Sequence, residues 1–416
     1  MKKIVLFAAA TAFIFAAACK KKQEASLTPV EQPAAFNEQS AAPGGFKPCP
    51  AGDFAFNLYR KVAAANPGKN VFLSPSSARW ALGMAYTGAA GRTRDEMAAA
   101  LGAKPVAENL KAESELMQSL MAADPKVKLR VANGLWLKNG FPFKQKFVSA
   151  VRKYYRAEVF ARNFVPADVG EANAWVSRET EGKIPSIINQ FKPEDRALLI
   201  NAVYFKGNWT DQFEKEATKA ADFHLSSGKA VRRKMMDNSA KYDYFKGEDF
   251  QAVRLPYGNK RLGMVILLPG KSLTLTELND MLTPAFWDKT LSGMKERSGR
   301  VRMPRFKLKF SAALNEPLKT IGMNLAFDKD NADFTEIADT TNPDDRLFIS
   351  QVLQKTFVEV NEEGTEAAAV TAVGLMVARS VGELPFNFNA DHPFLYAITD
   401  RVTGDILFLG ALYDPN

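Results

Sequence analysis

Apolar residues follow two rhythms along this chain, and the rhythm changes part-way. Asp53 to Ala65 spaces Phe54, Phe56, Leu58 and Val62 along one face of a helix. Ser76 to Tyr86 predicts a second helix, entered at Ser74-Pro75, where a hydroxyl can accept from free amides and proline tolerates the first turn. Thr93 to Leu101 predicts a third, with Thr93 and Glu96 at capping-box spacing. Further on, branched and aromatic residues dominate Leu198 to Phe205, Gln251 to Leu255, Leu262 to Leu268, Val301 to Phe310, Phe348 to Asn361, Phe394 to Thr399 and Ile406 to Leu409. These read as strands. Helices first, then strands separated by long stretches, predict an α+β protein with large, nonlocal sheets.

One segment fits neither rhythm. Val360 to Val373 begins as an alternating strand, breaks at Gly364 and continues as small residues with little to bury. Taken as a strand, Thr365, Ala367, Ala369, Thr371 and Val373 share an uncharged face, and Glu366 falls on the other with Ala368, Val370 and Ala372. No proline occurs between Gly364 and Ser380, so every amide there is free to join a ladder. Small residues on the buried side let such a strand slide between two others without expanding the core beneath. The pattern is that of a strand held in reserve.

The 416 residues exceed the usual size of one core, which by itself allows two or three domains. From about Pro50, however, the pattern never loosens into a linker, so one domain is expected over 49–416. Residues 19–48, rich in Ser, Ala, Gln, Glu and Pro, read as a flexible tether. Residues 1–18 have the charged start and short apolar core of a secretory signal, too short to span a bilayer. Their ending, Ala16-Ala17-Ala18-Cys19, resembles a bacterial lipoprotein signal, which implies lipidation at Cys19. The alternative is an ordinary secretory signal with an incidental cysteine. Lys20 to Lys22 would add attraction to anionic headgroups. The expected location is outside the cytoplasmic membrane, periplasmic or on the cell surface. Cys49 is then the one remaining thiol, so no internal disulfide is expected. The formal charge of +9 falls to +7 without Lys2 and Lys3, and the basic residues are scattered, which argues against a nucleic-acid partner.

Familiar catalytic patterns are missing. The two histidines, His224 and His392, stand in no nucleophile or metal spacing, and His392 before Pro393-Phe394 reads as structural. There is no Gly-x-Ser-x-Gly elbow. Gly270-Lys271-Ser272 imitates a phosphate loop, but Val265 occupies the leading glycine position. Asp328 to Asp333 imitates a calcium loop, with Ala332 and Asp333 where an oxygen ligand and a glycine belong, so a solvated turn is expected. Asn208-Trp209-Thr210 matches a glycosylation sequon and is set aside for a bacterial lipoprotein. No enzyme activity, metal or cofactor is expected, and function is sought in binding or conformational change.

The reserve strand opens with Glu362-Glu363-Gly364-Thr365-Glu366-Ala367-Ala368-Ala369, which resembles the hinge of the serpin family. Further landmarks follow family order: Asn70 to Ser77, Gly88 to Thr93, Asn173 to Val176, Thr180 to Ile184, Asn201 to Trp209, Met303 to Phe306 and His392 to Phe394. The resemblance spans Pro50 to Asn416. It implies the serpin fold, with three β-sheets, eight or nine helices and an exposed reactive-centre loop. It implies a monomer that inhibits serine proteases, with cysteine proteases as a further class, through a covalent 1:1 complex. In that mechanism the protease forms an acyl-enzyme at the loop, which then inserts as a central strand. A non-inhibitory serpin acting as a binding or chaperone protein is the alternative, disfavoured by the absence of proline and charge on the inserting face.

The same resemblance implies roles for single residues. Ser74, Ser77 and Asn201 match a polar cluster beneath the parting strands, with Gln354 where the family usually has histidine. Trp209 matches the tryptophan where insertion starts, and Glu362 faces Arg305 in a hinge ion pair. Family spacing places the reactive bond at Ala378-Arg379, suited to an elastase-like or subtilisin-like target. A loop one residue longer gives Arg379-Ser380, suited to a trypsin-like one.

Overall fold

The computed structural model describes residues 52–339, 345–365 and 384–415. Helices dominate the first part: α1 (Gly52–Ala64), α2 (Pro75–Gly88), α3 (Gly91–Leu101), α4 (Val106–Met121), α5 (Gln145–Tyr155) and α6 (Pro166–Glu179), with α7 (Leu275–Met281), α8 (Pro284–Ser292) and α9 (Asn315–Thr320) later. Between and after them run β1 (Val71–Leu73), β2 (Val127–Lys138), β3 (Glu158–Arg162), β4 (Ala197–Asn208), β5 (Lys219–His224), β6 (Ala230–Lys246), β7 (Phe250–Pro256) and β8 (Leu262–Pro269). The chain continues through β9 (Lys295–Pro304), β10 (Phe306–Ala313), β11 (Leu353–Val360), β12 (Gly364–Thr365), β13 (Phe386–Asn389), β14 (Phe394–Asp400) and β15 (Ile406–Leu412).

Two hydrogen-bonded networks result. The larger runs β1-β15-β14-β8-β7-β6-β9-β13, with β5 also on β6; the smaller runs β10-β11-β12-β4-β2-β3. The long strand β6 explains why three sheets were expected. Its first part pairs with β5 and β9, and only Asp243 to Lys246 pair with β7. Dividing the larger network at β6 recovers the three-sheet architecture.

The two networks pack face to face. Strands β8, β14 and β15 are buried at every residue, and Phe408 of β15 stacks on Phe72 at 5.0 Å while meeting Phe205 of β4 edge-on at 6.2 Å. Helix α2 is buried nearly all round, which its small residues Ser76, Ser77, Ala78, Gly83 and Ala85 permit. The Ser74-Pro75 entry is as read: the Ser74 hydroxyl accepts from Ser77 N at 3.3 Å and Pro75 opens the first turn. A second apolar cluster lies apart, where Trp175 and Val176 of α6 join Ile184, Ile188, Trp136 and Ile200.

Three local expectations change. Thr93 does not begin α3, which starts at Gly91; its hydroxyl accepts from Asp333 N, and Glu96 caps the Asn324 and Leu325 amides. Both side chains serve a neighbouring segment instead of their own helix. Val301 to Phe310 is two strands in different networks. Pro304 has no amide for a ladder, and the chain passes through Arg305 from β9 into β10. Phe348 to Asn361 enters a ladder only at Leu353, because Asn315 captures the Val352 amide and the Ser350 carbonyl first.

Candidate functional site

The site begins with a two-residue strand. Thr365 of β12 pairs with Val360 of β11 on one side and with Gly207 of β4 on the other, both antiparallel. Below that point, among the described residues, β4 pairs only with β2, and β11 only with β10. Among the described residues, β4 and β11 are thus the neighbours that flank β12, and the line between them is called the slot below. A cleft opens at its lower end, floored by Ala78, Leu82 and Ala85 of α2.

Side chains at the top of the slot fix the hinge. Thr365 is buried, and its hydroxyl lies 2.6 Å from the Tyr257 hydroxyl. Burial pushes the Tyr257 pKa far above its ordinary value, so this phenol keeps its proton. Trp209 stacks on Tyr257, centroids 4.5 Å apart and rings 11° from parallel, and its indole donates to Asn361 O at 3.0 Å. The Trp209 and Phe213 amides donate to Glu363 O and Glu362 O, each at 2.9 Å. Gly364 has φ +154°, and a Cβ there would stand 2.6 Å from Asn208 Cα and closer still to Gly207 O. Only glycine fits where the chain turns into the slot.

The ion pair expected at the hinge forms: Arg305 Nε lies 3.5 Å from Glu362 Oε2. Its partners differ sharply in exposure, 41% for the Arg305 side chain against 7% for Glu362. Sequence reasoning missed the stronger contact, a 2.8 Å hydrogen bond from the Thr218 hydroxyl to Glu362 Oε1. Glu363 accepts from Lys215 Nζ at 2.6 Å.

The polar cluster deeper in the slot is divided in two. On the β11 side, Gln354 clamps the Ser74 backbone, accepting from its N–H at 2.9 Å and donating to its C=O at 2.8 Å. The Ser74 hydroxyl donates to Leu407 O at 2.7 Å, and Thr356 donates to Phe72 O at 2.6 Å. On the β4 side, Ser77 donates to Asn201 Oδ1, Asn201 donates to Asn133 at 2.6 Å, and Asn133 donates to Tyr155 O at 2.6 Å. The first turn of α2 joins the halves, while no hydrogen bond links Gln354 with Asn201 among the described residues. Gln354, Asn201, Ser74 and Ser77 carry no group that titrates near neutrality. Asn133 and Thr356 were not singled out earlier; both are buried polar residues, one in β2 and one in β11.

His392 sits at the far end of the larger network, its Nδ1 2.9 Å from Asp391 Oδ1 and its Nε2 2.9 Å from Pro269 O. Burial works against a charged ring, but neither partner offers a proton and both hydrogen bonds favour the protonated form, so the His392 pKa is raised. Asp328 likewise holds its own turn, accepting from the Asp330 and Asn331 amides. The loop residues Glu366, Ala367, Ala368, Ala369, Ala378, Arg379 and Ser380, and the lipidation candidate Cys19, lie outside the described residues.

Residues 50–415 match the family model described as Serpin (serine protease inhibitor). The chain is a serpin. It is 36% identical to an uncharacterised serpin-like protein of Thermococcus kodakarensis over 369 residues, covering 87% of this chain and 84% of that one. The leukocyte elastase inhibitor of Equus caballus is 34% identical, covering 87% of this serpin and 97% of the relative. Among solved structures, the thermophilic serpin tengpin in its native state matches with a TM-score of 0.78 at 30% identity, covering 88% of this serpin and 93% of tengpin. Members of the family bind target proteases, and in this serpin the hinge seated between β4 and β11 stands at the head of the segment that resembles the reactive loop.

Proposed function

We propose that this serpin is a suicide-substrate inhibitor of serine proteases that traps the acyl-enzyme by inserting its cleaved loop between β4 and β11. The supporting observation is the two-residue strand β12, seated between β4 and β11, which show no pairing with each other among the described residues. Extending its register down the slot sets Ala367 opposite Phe205 and Val358, Ala369 opposite Val203 and Thr356, and Thr371 opposite Asn201 and Gln354. Small or hydroxylic side chains then meet the buried face at each step, and the two halves of the polar cluster gain a hydroxyl between them. Each ladder hydrogen bond gained is worth about 0.5 to 1.5 kcal/mol net. The intact form would persist through its unfolding barrier and not as the lowest state of the chain.

In the first stage the target serine attacks the loop carbonyl and the leaving amine departs, leaving an ester. Insertion carries that ester away before water completes hydrolysis. We favour Ala378-Arg379 as the bond, which suits an elastase-like or subtilisin-like pocket, with Arg379-Ser380 and a trypsin-like enzyme as the competing assignment. The similarity to the equine leukocyte elastase inhibitor favours the first. We also propose that the inhibitor acts as a monomer, tethered through lipidated Cys19 by residues 19–48.

Incubation with pancreatic elastase and with trypsin tests both levels. An adduct that survives denaturing electrophoresis, together with the N-terminus of the released peptide, supports trapping and identifies the bond. Complete cleavage at every ratio with no adduct overturns it.

A further inference from the structure

The slot is closed at its foot as well as at its top. Asp195, at the entry to β4, is buried, and its Oδ1 accepts from the Ser350 hydroxyl at 3.0 Å. Ser350 lies on the other side of the slot, in the irregular segment that leads into β11. Neither partner is free to drift. Asp195 Oδ2 accepts from Lys192 N at 2.8 Å, which fixes its turn, and the Ser350 carbonyl is held by Asn315 Nδ2 at 3.0 Å. Arg196, next to Asp195, stands 3.6 Å from Asp345 in the same direction. Side chains thus bridge the two walls where the backbone ladder does not.

We propose that Asp195 and Ser350 form a clasp that positions the two walls and must open for the last part of loop insertion. This rests on the trapping reaction proposed above. The register of β12 fixes where the clasp is met: Glu366 to Gly374 fill the slot above it, Leu375 arrives between Ala197 and Ser350, and Val377 arrives between Asp195 and Phe348. With cleavage after Ala378, the four residues from Leu375 onward pass the clasp, which at about 3.3 Å per residue is about 13 Å of travel. The clasp therefore opposes the final third of the movement and leaves the beginning untouched. Its opening releases one buried carboxylate from one hydroxyl.

The test is Ser350→Ala, which removes the hydroxyl from a half-buried position and leaves the Asp195 turn intact, with Ser350→Thr as the conservative rescue. Loop insertion after cleavage is followed by stopped-flow fluorescence in the full-length protein, using an environment-sensitive dye on a Met376→Cys side chain, which stays on the inserting side of the cut bond, in a Cys49→Ser background. Thermal midpoints of intact and nicked forms are measured in parallel. The alanine variant is expected to insert about fivefold faster, the equivalent of one hydrogen bond of about 1 kcal/mol, with the threonine variant near the parent rate. Its intact form is expected to melt lower, while its nicked form melts with the nicked parent. An unchanged insertion rate in a variant whose parent does insert overturns the clasp alone. Equal destabilisation of intact and nicked forms also overturns it, since that is the signature of ordinary packing. A parent that gains no stability on nicking overturns the trapping reaction and the clasp with it.

Discussion

Thr365→Arg places a guanidinium where the structure has a hydroxyl 2.6 Å from Tyr257 and 2% exposed. Tyr257 is fully enclosed and covered on one face by Trp209, so the new charge would stand in a site closed to solvent. Burying an unpaired charge costs several kcal/mol even after relaxation, and about 4 kcal/mol is a fair magnitude here. If that penalty falls on the transition to the inserted state, it slows insertion about a thousandfold at 1.36 kcal/mol per factor of ten. Hydrolysis of the acyl-enzyme is chemistry of the protease and is not slowed. Nearly every cleavage should then end in release, converting inhibitor to substrate. Thr365→Val keeps the shape and loses one hydrogen bond that the intact form already makes, so the intact form should be less stable by about 1 kcal/mol while trapping is retained. Both variants are titrated against the protease trapped by the parent, and residual activity and denaturant-stable adduct are scored together. A Thr365→Arg protein that traps with the parent's stoichiometry would refute the placement of Thr365 in the path of insertion.

Other consequences are open to measurement. Gly364→Ala should force β12 out of the slot, seen as faster hydrogen exchange at the Trp209 and Phe213 amides, which donate to the carbonyls just before it. Gln354→Ala leaves the buried Ser74 N–H unpaired, while its C=O still accepts from Ala78 N, so the intact form should lose about 1 to 3 kcal/mol; a thermal midpoint within error of the parent would show that the clamp is dispensable. Arg305→Ala should cost less than about 1 kcal/mol because that partner is half exposed, whereas Thr218→Val should cost more by stranding the buried Glu362. Burial alone would lower the His392 pKa, but hydrogen bonds to Asp391 and Pro269 outweigh it and raise the value. The associated stability is therefore complete below the ordinary histidine range and is lost as pH rises through the raised pKa. Thermal midpoints of His392→Gln should be flat through that window, and a slope like the parent's would assign the titration elsewhere.

How far the sequence could be read depended on what each residue answers to. The strand Leu262 to Leu268 was plain because β8 is buried on both faces and every position is apolar. Strand β6 was not, because its first part, with Arg232, Lys234 and Lys241 exposed, holds few apolar residues to set an alternation. Thr93 and Glu96 have capping-box spacing, yet their partners, Asp333 and the Asn324-Leu325 turn, are more than 200 residues away, beyond the reach of any local pattern. At the site, Gly364 and Thr365 announce themselves by composition, and the slot they enter is formed by β4 and β11. Tyr257 and Thr218 carry no such mark. Their roles arise only when the turn after β7 and the segment before β5 are brought against the hinge.

The separate cluster around Trp136, Trp175 and Ile200 has a mechanical consequence. Helix α6 is fastened by its own apolar contacts to the outer side of β2 and β4, not to the main interior. If β4 moves aside to admit the strand proposed above, α6 travels with it as cargo, keeping these contacts while the wall slides.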